Sequence, residues 1–512
     1  MNRFEYYFDP MFADYSPQKM DISEKIYENG YLICGDFYGI QKFIFENLST
    51  KNAAKVLRAK SAFVQIFTIV ISRYICHKTG ISENHILSNS AGKFEIIAPQ
   101  IDLAVIEDIR RHVDHYFLHH FFGLSGISIC TVPYRREDFV SEKAYKTLRQ
   151  SISLEIEKNK YRKFSLNTLD SPVLATDETI TNARLCKVCN TRPIQTDNCE
   201  ICDRFIELGK RLASTKNDTI SNQELGIIFD DFETSVTLGE KLRSYVSVNR
   251  YGKPATFEDL SASAIGTTSI GVLKADIDGM GNFLNNSDVT ANFDNFDLFS
   301  KSIDNFFSLH VPKLMKERYP NTYTVFAGGD DLFLIGAWNE ILELARAIRN
   351  DFISFVKVPL TLSFGIAMVK ENTPVSYMAT ISEQYLEMSK EMEDKDAITL
   401  FGMPIKWSEY LLMRENFHKI IEISEKFPTE FNTAFWYRIL EFCDMRENLE
   451  KDMKNALWKS KLSYTFKRNV IDKQKNFDFS EIIKILSNSI DIHRARYKAV
   501  IFEELYKQRN AH

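Results

Sequence analysis

The stretch VFAGGDDLFLIG, Val325 to Gly336, sets two glycines and two aspartates between apolar runs. TYTVFA and LFLIGAW read as strands, and Gly328-Gly329-Asp330-Asp331 as the turn between them. A buried hairpin with adjacent carboxylates at its tip carries a charge conflict that something must relieve.

The flanks extend this hairpin into a larger unit. GVLKADID is a strand that ends in Asp276 and Asp278. In FDLFSKSIDNFFSLHV, Leu298, Phe299, Ile303, Phe306 and Phe307 share one helical face. NEILELARAIRNDFISF predicts a helix capped by Asn339, LTLSFGIAMV a strand, VSYMATISEQYLEMSKEME a helix, and AITLF a closing strand. The order is β-α-β-β-α-β, the ferredoxin-like arrangement. The same order is legible near the N-terminus, from YLICGD through the helical KVLRAKSAFVQIFTIVIS and the hairpin HILSNSAGKFEIIAP to SGISICTVPY. Asp36, Gly39 and Phe43 follow D-x-x-G-x-x-x-F, as do Asp276, Gly279 and Phe283. An internal duplication follows. At the turn the copies differ, because the first has Ser90-Ala91-Gly92-Lys93.

The predicted fold is α+β: two ferredoxin-like domains, a zinc-binding helical insert and a C-terminal helical domain. The expected boundaries are a short extension over 1–30, the degenerate first domain over 31–140 and a helical linker with four cysteines over 141–265. The second, catalytic domain is expected over 266–402 and helices over 403–512.

The acids carry the chemistry. The strand ending at Asp276 and Asp278 should lie beside Asp330 and Asp331, so that several carboxylates converge, and a hard divalent cation such as Mg²⁺ or Mn²⁺ resolves such a cluster. Two ions can activate a hydroxyl and steady a leaving pyrophosphate. The glycines let a nucleotide approach the backbone. A strand-end acid with hairpin acids is the palm of nucleotide polymerases and cyclases. In CKVCNTRPIQTDNCEIC, Cys186, Cys189, Cys199 and Cys202 form two C-x-x-C pairs nine residues apart, the spacing of a structural, tetrahedral Zn²⁺.

Composition narrows the class. The 512 residues are 44% hydrophobic and 26% charged, with a net charge of −5, so the overall field does not attract nucleic acid. Local clusters can: Lys51, Lys55, Arg58 and Lys60; Lys158, Lys160, Arg162 and Lys163; and Lys451, Lys454, Lys459, Lys461, Lys467, Arg468, Lys473 and Lys475. The first twenty residues are polar and carry prolines, unlike a signal peptide. No apolar run reaches the roughly 20 residues that cross a bilayer. A cytoplasmic protein with no membrane partner is expected.

GDFYGIQKFIF, KNAAKVLRAKSAFVQ, SNSAGKFEIIAP, the two C-x-x-C pairs, LKADIDGMGNF and FAGGDDLFLIGAWNEILELARAIRNDF occur in that order. In these the chain resembles the large, palm-containing subunit of type III CRISPR interference complexes, most closely the type III-A form. The resemblance implies an antiviral complex built on CRISPR RNA. There, target-RNA pairing makes the palm convert ATP into cyclic oligoadenylates. It implies partners: CRISPR RNA, target RNA, a small helical subunit and a subunit that binds the RNA handle. It implies that Asp276, Asp330 and Asp331 hold the metals and that Gly328 and Gly329 lie against the donor nucleotide. Ser90 and Lys93 would seat the second ATP, and Lys390 would contact a triphosphate.

Many members open with an HD nuclease domain. About 30 residues precede the first palm here, and the chain has no His-Asp dipeptide, so no DNA cleavage is expected. Alternatives remain. One is another adenylate conjugate, such as with S-adenosylmethionine. Another is a guanine dinucleotide cyclase, whose family usually has Glu-Phe after Gly-Gly-Asp where this chain has Asp331-Leu332. The last is a non-catalytic scaffold.

Overall fold

The computed structural model describes residues 3–45, 48, 52–161, 184–194, 197–214 and 218–509. The first sheet contains β1 (Asn29–Tyr38), β2 (Ile86–Ser90), β3 (Lys93–Ala98) and β4 (Gly126–Arg135) in the order β2-β3-β1-β4. All its pairings are antiparallel. Helices α1 (Ala53–Thr79) and α2 (Leu103–Phe121) supply the two crossovers. Alternation along β1 sends Ile33 and Phe37 into a core with α1 and α2. Leu32 and Cys34 point the other way, onto Tyr145, Leu148 and Ile152 of α3 (Glu142–Tyr161). The helix expected to begin a separate linker therefore packs on the first sheet.

Beyond it, α4 (Glu200–Leu212) docks on α1 so closely that a Cβ at Gly209 would run into the Lys55 carbonyl. Arg58 Nη1 donates to the Gly209 carbonyl at 3.0 Å.

The second sheet repeats the pattern. Its strands are β5 (Ile270–Ile277), β6 (Thr322–Gly328), β7 (Asp331–Ala337), β8 (Leu362–Val369), β9 (Ala397–Leu400) and β10 (Met403–Lys406), ordered β6-β7-β5-β8-β9-β10. The first four reproduce the order of the N-terminal sheet. Strand β9 then pairs parallel to β8, and β10 pairs antiparallel to β9. The sheet thus runs on to Lys406, past the boundary expected at Gly402. Helices α5 (Phe293–Asn305), α6 (Trp338–Phe355) and α7 (Val375–Lys390) cover it. Helix α6 starts at Trp338 without a side-chain cap. Asn339, the expected cap, instead accepts a hydrogen bond from Ile265 N.

Period-two alternation also joins the halves. Leu273, Ala275, Leu332 and Leu334 face α5 and α6. Ile270, Val272, Phe333 and Ile335 face the other way, into the core built on α1 and α4. The two sheets therefore share one apolar interior. A second departure from expectation lies at the N-terminus. Phe4, Tyr7, Phe8 and Phe12 are buried in the second domain's core, where Phe8 stacks on Phe355 at 4.5 Å. The sequence there looks polar because its aromatic residues alternate with acids and prolines. After Lys406 the chain is helical, and Trp407, Tyr410 and Trp436 are fully buried. Among the described residues no helix is long and apolar enough to cross a membrane.

Candidate active site

Register decides the site. Asp276 is the penultimate residue of β5, and Asp331 opens β7 directly across from it. Asp331 has the parity of Phe333 and Ile335, and Asp276 that of Ile270 and Val272, so both carboxylates lie on the face turned toward the first domain. Asp330 precedes Asp331 in the turn. Burial pushes the Asp276 carboxyl up to about 6, with Asp330 and Asp331 adding repulsion and Lys390 opposing it. Burial, then Asp330, raises Asp331 as well, with Lys274 and Lys390 opposing.

Lys390 ends α7 and pairs with Asp276 Oδ2 at 2.5 Å. Burial works against its charge, but the hydrogen bond and charge of Asp276, with the charges of Glu387 and Asp331, together outweigh it and hold its pKa up. The residue expected on a triphosphate therefore stands on a carboxylate here. Among the described residues the three carboxylates are not one of the groups gathered closely enough to hold a metal ion, as the four thiols are. Asp278, expected among the converging acids, is not in the cluster. Its Oδ2 accepts from Thr361 Oγ1 at 2.8 Å, Ser363 Oγ at 3.0 Å and Asp396 N at 3.1 Å, which ties β5 to the starts of β8 and β9.

Sequence reasoning missed two residues here, one at the turn and one on β5. Asp304, buried at the end of α5, accepts from Gly329 N at 3.1 Å and pairs with Lys241 at 2.6 Å. Gly329 has φ +64°, a conformation open to glycine at little cost. Buried Lys274 pairs with Glu383. Neither role has a local pattern in the sequence, because the partners lie 25 to 109 residues away.

The first hairpin meets the second. A Cβ at Gly329 would lie 3.2 Å from the Cβ of Ala91, between Ser90 and Gly92. Gln65 of α1 fixes that tip, accepting from Ala91 N at 3.0 Å and donating to Asn89 O at 3.2 Å. Ser90 and Lys93 flank the contact and pair across their own turn. Asp36 lies across from Lys93 in register and pairs with Lys160 of α3 at 2.8 Å.

The sulfur atoms of Cys186, Cys189, Cys199 and Cys202 all lie within 4.8 Å of one another, and all four residues are buried. Val188 N and Cys199 N point at the Cys186 sulfur at 3.4 and 3.3 Å. Four thiols with backbone donors on one sulfur fit a tetrahedral thiophilic cation such as Zn²⁺.

The basic clusters fare unevenly. Arg58 and Lys60 are buried, and Lys160 and Lys459 are paired, with Asp36 and Asp491. Lys51, Arg162 and Lys163 lie outside the described residues. Lys451, Lys454, Lys461, Lys467, Arg468, Lys473 and Lys475 are exposed.

Residues 269–399 match the family description "Cas10/Cmr2, second palm domain", and residues 30–174 match "Csm1 subunit domain B". The subtype III-A Cas10/Csm1 of Thermococcus onnurineus, named a CRISPR system single-strand-specific deoxyribonuclease, is 23% identical over 90% of this chain and 67% of its own length. Its namesake from Methanocaldococcus jannaschii is 25% identical over 73% of this chain and 59% of its own length. The chain thus spans about two thirds or less of these relatives. A Csm1–Csm4 cassette crystallised with cA4 superposes with a TM-score of 0.70 at 20% identity, over 94% of this chain and 70% of that one. The chain belongs to the Cas10/Csm1 family of type III-A large subunits.

Proposed function

We propose that this chain is the large subunit of an RNA-guided type III-A complex and converts ATP into cyclic oligoadenylates when target RNA is bound. One observation carries the reading: Asp276 and Asp331 face each other across β5 and β7, with Asp330 beside them, at a turn that touches the first domain's hairpin. The carboxylates suit a pair of Mg²⁺ or Mn²⁺ ions. When bound, these supply the positive charge that nucleotidyl transfer needs at the attacking and leaving oxygens.

The remaining roles belong to the chain. Asp276, Asp330 and Asp331 hold the cations. Gly328 and Gly329 present bare backbone to the donor nucleotide. Lys390 releases Asp276 and turns to the triphosphate. Ser90 and Lys93, on the opposing hairpin, seat the second ATP so that its 3′-hydroxyl meets the donor α-phosphate. The four cysteines hold a structural Zn²⁺ that braces α4 against α1. The domain limits are those expected from the sequence, with the catalytic palm extended to Lys406 and α3 joined to the first palm. The guide RNA, the target RNA, a small helical subunit and a handle-binding subunit of the Csm4 kind are the partners. The likeness to a cassette solved with cA4 supports the product class.

The names of the relatives favour a second reading, single-strand DNA cleavage. Against it, the chain has no His-Asp dipeptide of the HD nuclease type. The test is the assembled complex with matching target RNA, Mg²⁺, ATP and single-stranded DNA. Native chain should give cyclic oligoadenylates and intact DNA, and Asp330→Ala/Asp331→Ala should give neither adenylates nor DNA fragments. Equal adenylate yield from both proteins would overturn the assignment, and DNA fragments would establish the second reading. Mass analysis of the product separates rings from an S-adenosylmethionine conjugate.

A further inference from the structure

Behind the Gly328–Gly329 turn lies a small cavity of about 50 Å³, lined by polar and apolar groups alike. Its walls include Arg58 of α1, Lys241, Ser244, Ser308, Ala91 and Gly328. Arg58 is 3% exposed, and no carboxylate among the described residues pairs with it. Its guanidinium lies 4.8 Å from the Tyr323 ring centroid, and Nη1 donates to the Gly209 carbonyl. Nε and Nη2 have no partner. These two nitrogens form one edge of the guanidinium plane, the edge that grips two oxygens of a phosphate or carboxylate at once. The hydroxyls of Ser244 and Ser308 are likewise buried without partners. Lys241 adds a second cation, shared with Asp304.

We propose that this cavity binds a single phosphoryl group, with the Nε–Nη2 edge of Arg58 as its fork and the hydroxyls of Ser244 and Ser308 as further donors. A buried cation without a counter-ion is strongly unfavourable. Water fits the volume, since one molecule needs only about 10–15 Å³. Water cannot neutralise the charge, and an oxyanion can. Counting Arg58 and Lys241 against Asp304, the walls carry one net positive charge. The carboxylate does not repel an anion outright, because Gly329 N and Lys241 already occupy its oxygens. The cavity shares Gly328 and Ala91 with the hairpin contact, so its occupant would stiffen the turn. The phosphoryl group can come from free phosphate or from a nucleotide tail.

The test uses the full chain with no divalent cation added and no chelator that could strip the four-cysteine site, so that it does not read turnover. Inorganic phosphate is titrated against chloride at equal ionic strength while the thermal midpoint and the heat of binding are followed. Native chain should show a saturable rise in midpoint. Arg58→Met keeps the apolar stem and should abolish the rise without lowering the unliganded midpoint. Ser308→Ala should weaken binding about tenfold and serves as the test if Arg58→Met does not fold. Competition by ATP with no divalent cation added would assign the site to a nucleotide tail, and simultaneous binding would assign it to the free anion; both uphold the site. A native chain that responds to phosphate no more than to chloride would overturn the proposal. So would an equal response from native chain and Arg58→Met, or from native chain and Ser308→Ala.

Discussion

The two halves place the same strand carboxylate in opposite company. Asp36 sits across from Lys93, and Asp276 across from Asp331. On the other side both carboxylates face a serine, Ser128 in the first half and Ser363 in the second. Both also pair with a lysine near the end of the helix after the fourth strand, Lys160 on α3 and Lys390 on α7. The duplication therefore extends to an Asp–Lys–Ser constellation, and one hairpin position separates the copies. With Lys93 the first half is internally compensated. With Asp331 the second has a carboxylate excess that a mobile cation can satisfy, which turns a structural salt bridge into a candidate catalytic centre.

Four experiments would break or sharpen that contrast. The largest effect is expected from Asp330→Ala/Asp331→Ala. Several kcal/mol of charge stabilisation go with the ligands, so adenylate synthesis should fall by about 10³-fold or more. Asp36→Asn in the compensated half should cost only a few-fold, and equal losses would erase the distinction.

Next comes the brace carried by the first half alone. Cys199→Ser should free α4 from α1. Hydrogen exchange would show this as loss of protection over residues 200–212, on the order of 3 kcal/mol, with a smaller loss in β5 and β7, whose Val272 and Phe333 face the same core.

A smaller effect is set by pH. The Asp276 carboxyl is held at about 6 by burial and by its acidic neighbours. Protons therefore compete with Mg²⁺, and apparent affinity should rise about tenfold per pH unit from 5 to 6 and level off above 7. In chelator the sign for folding is the reverse. The raised carboxyl contributes stability below its unfolded pKa of 3.8 and loses it as pH climbs through 6, so the melting midpoint should fall over that window. Calorimetry of Asp276→Asn should show neither trend.

Smallest of all, Lys93→Asp would give the first half the charge pattern of the second. In chelator it should destabilise by about 1 kcal/mol, and millimolar Mg²⁺ should restore that loss. A substitution without cost, or without rescue by Mg²⁺, would show that this register position does not set the charge balance.

Much of this was legible in the chain. The hairpin with its two glycines and two aspartates, the strand ending at Asp276 and the cysteine spacing are local patterns, and period-two and period-3.6 hydrophobicity carried them into elements. What escaped was non-local. Asp304 reads as a polar residue on an amphipathic helix until the fold brings it to Gly329. Asp278 looks as eligible as Asp276, two residues away, but the hydroxyls of Thr361 and Ser363 engage it first. Lys60 and Arg58 read as part of a surface basic cluster because charge is visible in sequence and burial is not. Strand β10 follows a two-residue turn that reads as the end of the domain, since MPIK is too short to show alternation.

The aromatic segment at the N-terminus has a consequence for biogenesis. Phe8 stacks on Phe355, and its backbone bridges to Val356. At roughly 5–20 residues per second, tens of seconds separate the emergence of these two sites from the ribosome. Throughout that interval four bulky rings must wait for a nest not yet translated, so a nascent chain arrested before Phe355 should recruit holdase chaperones that one arrested after the second sheet does not.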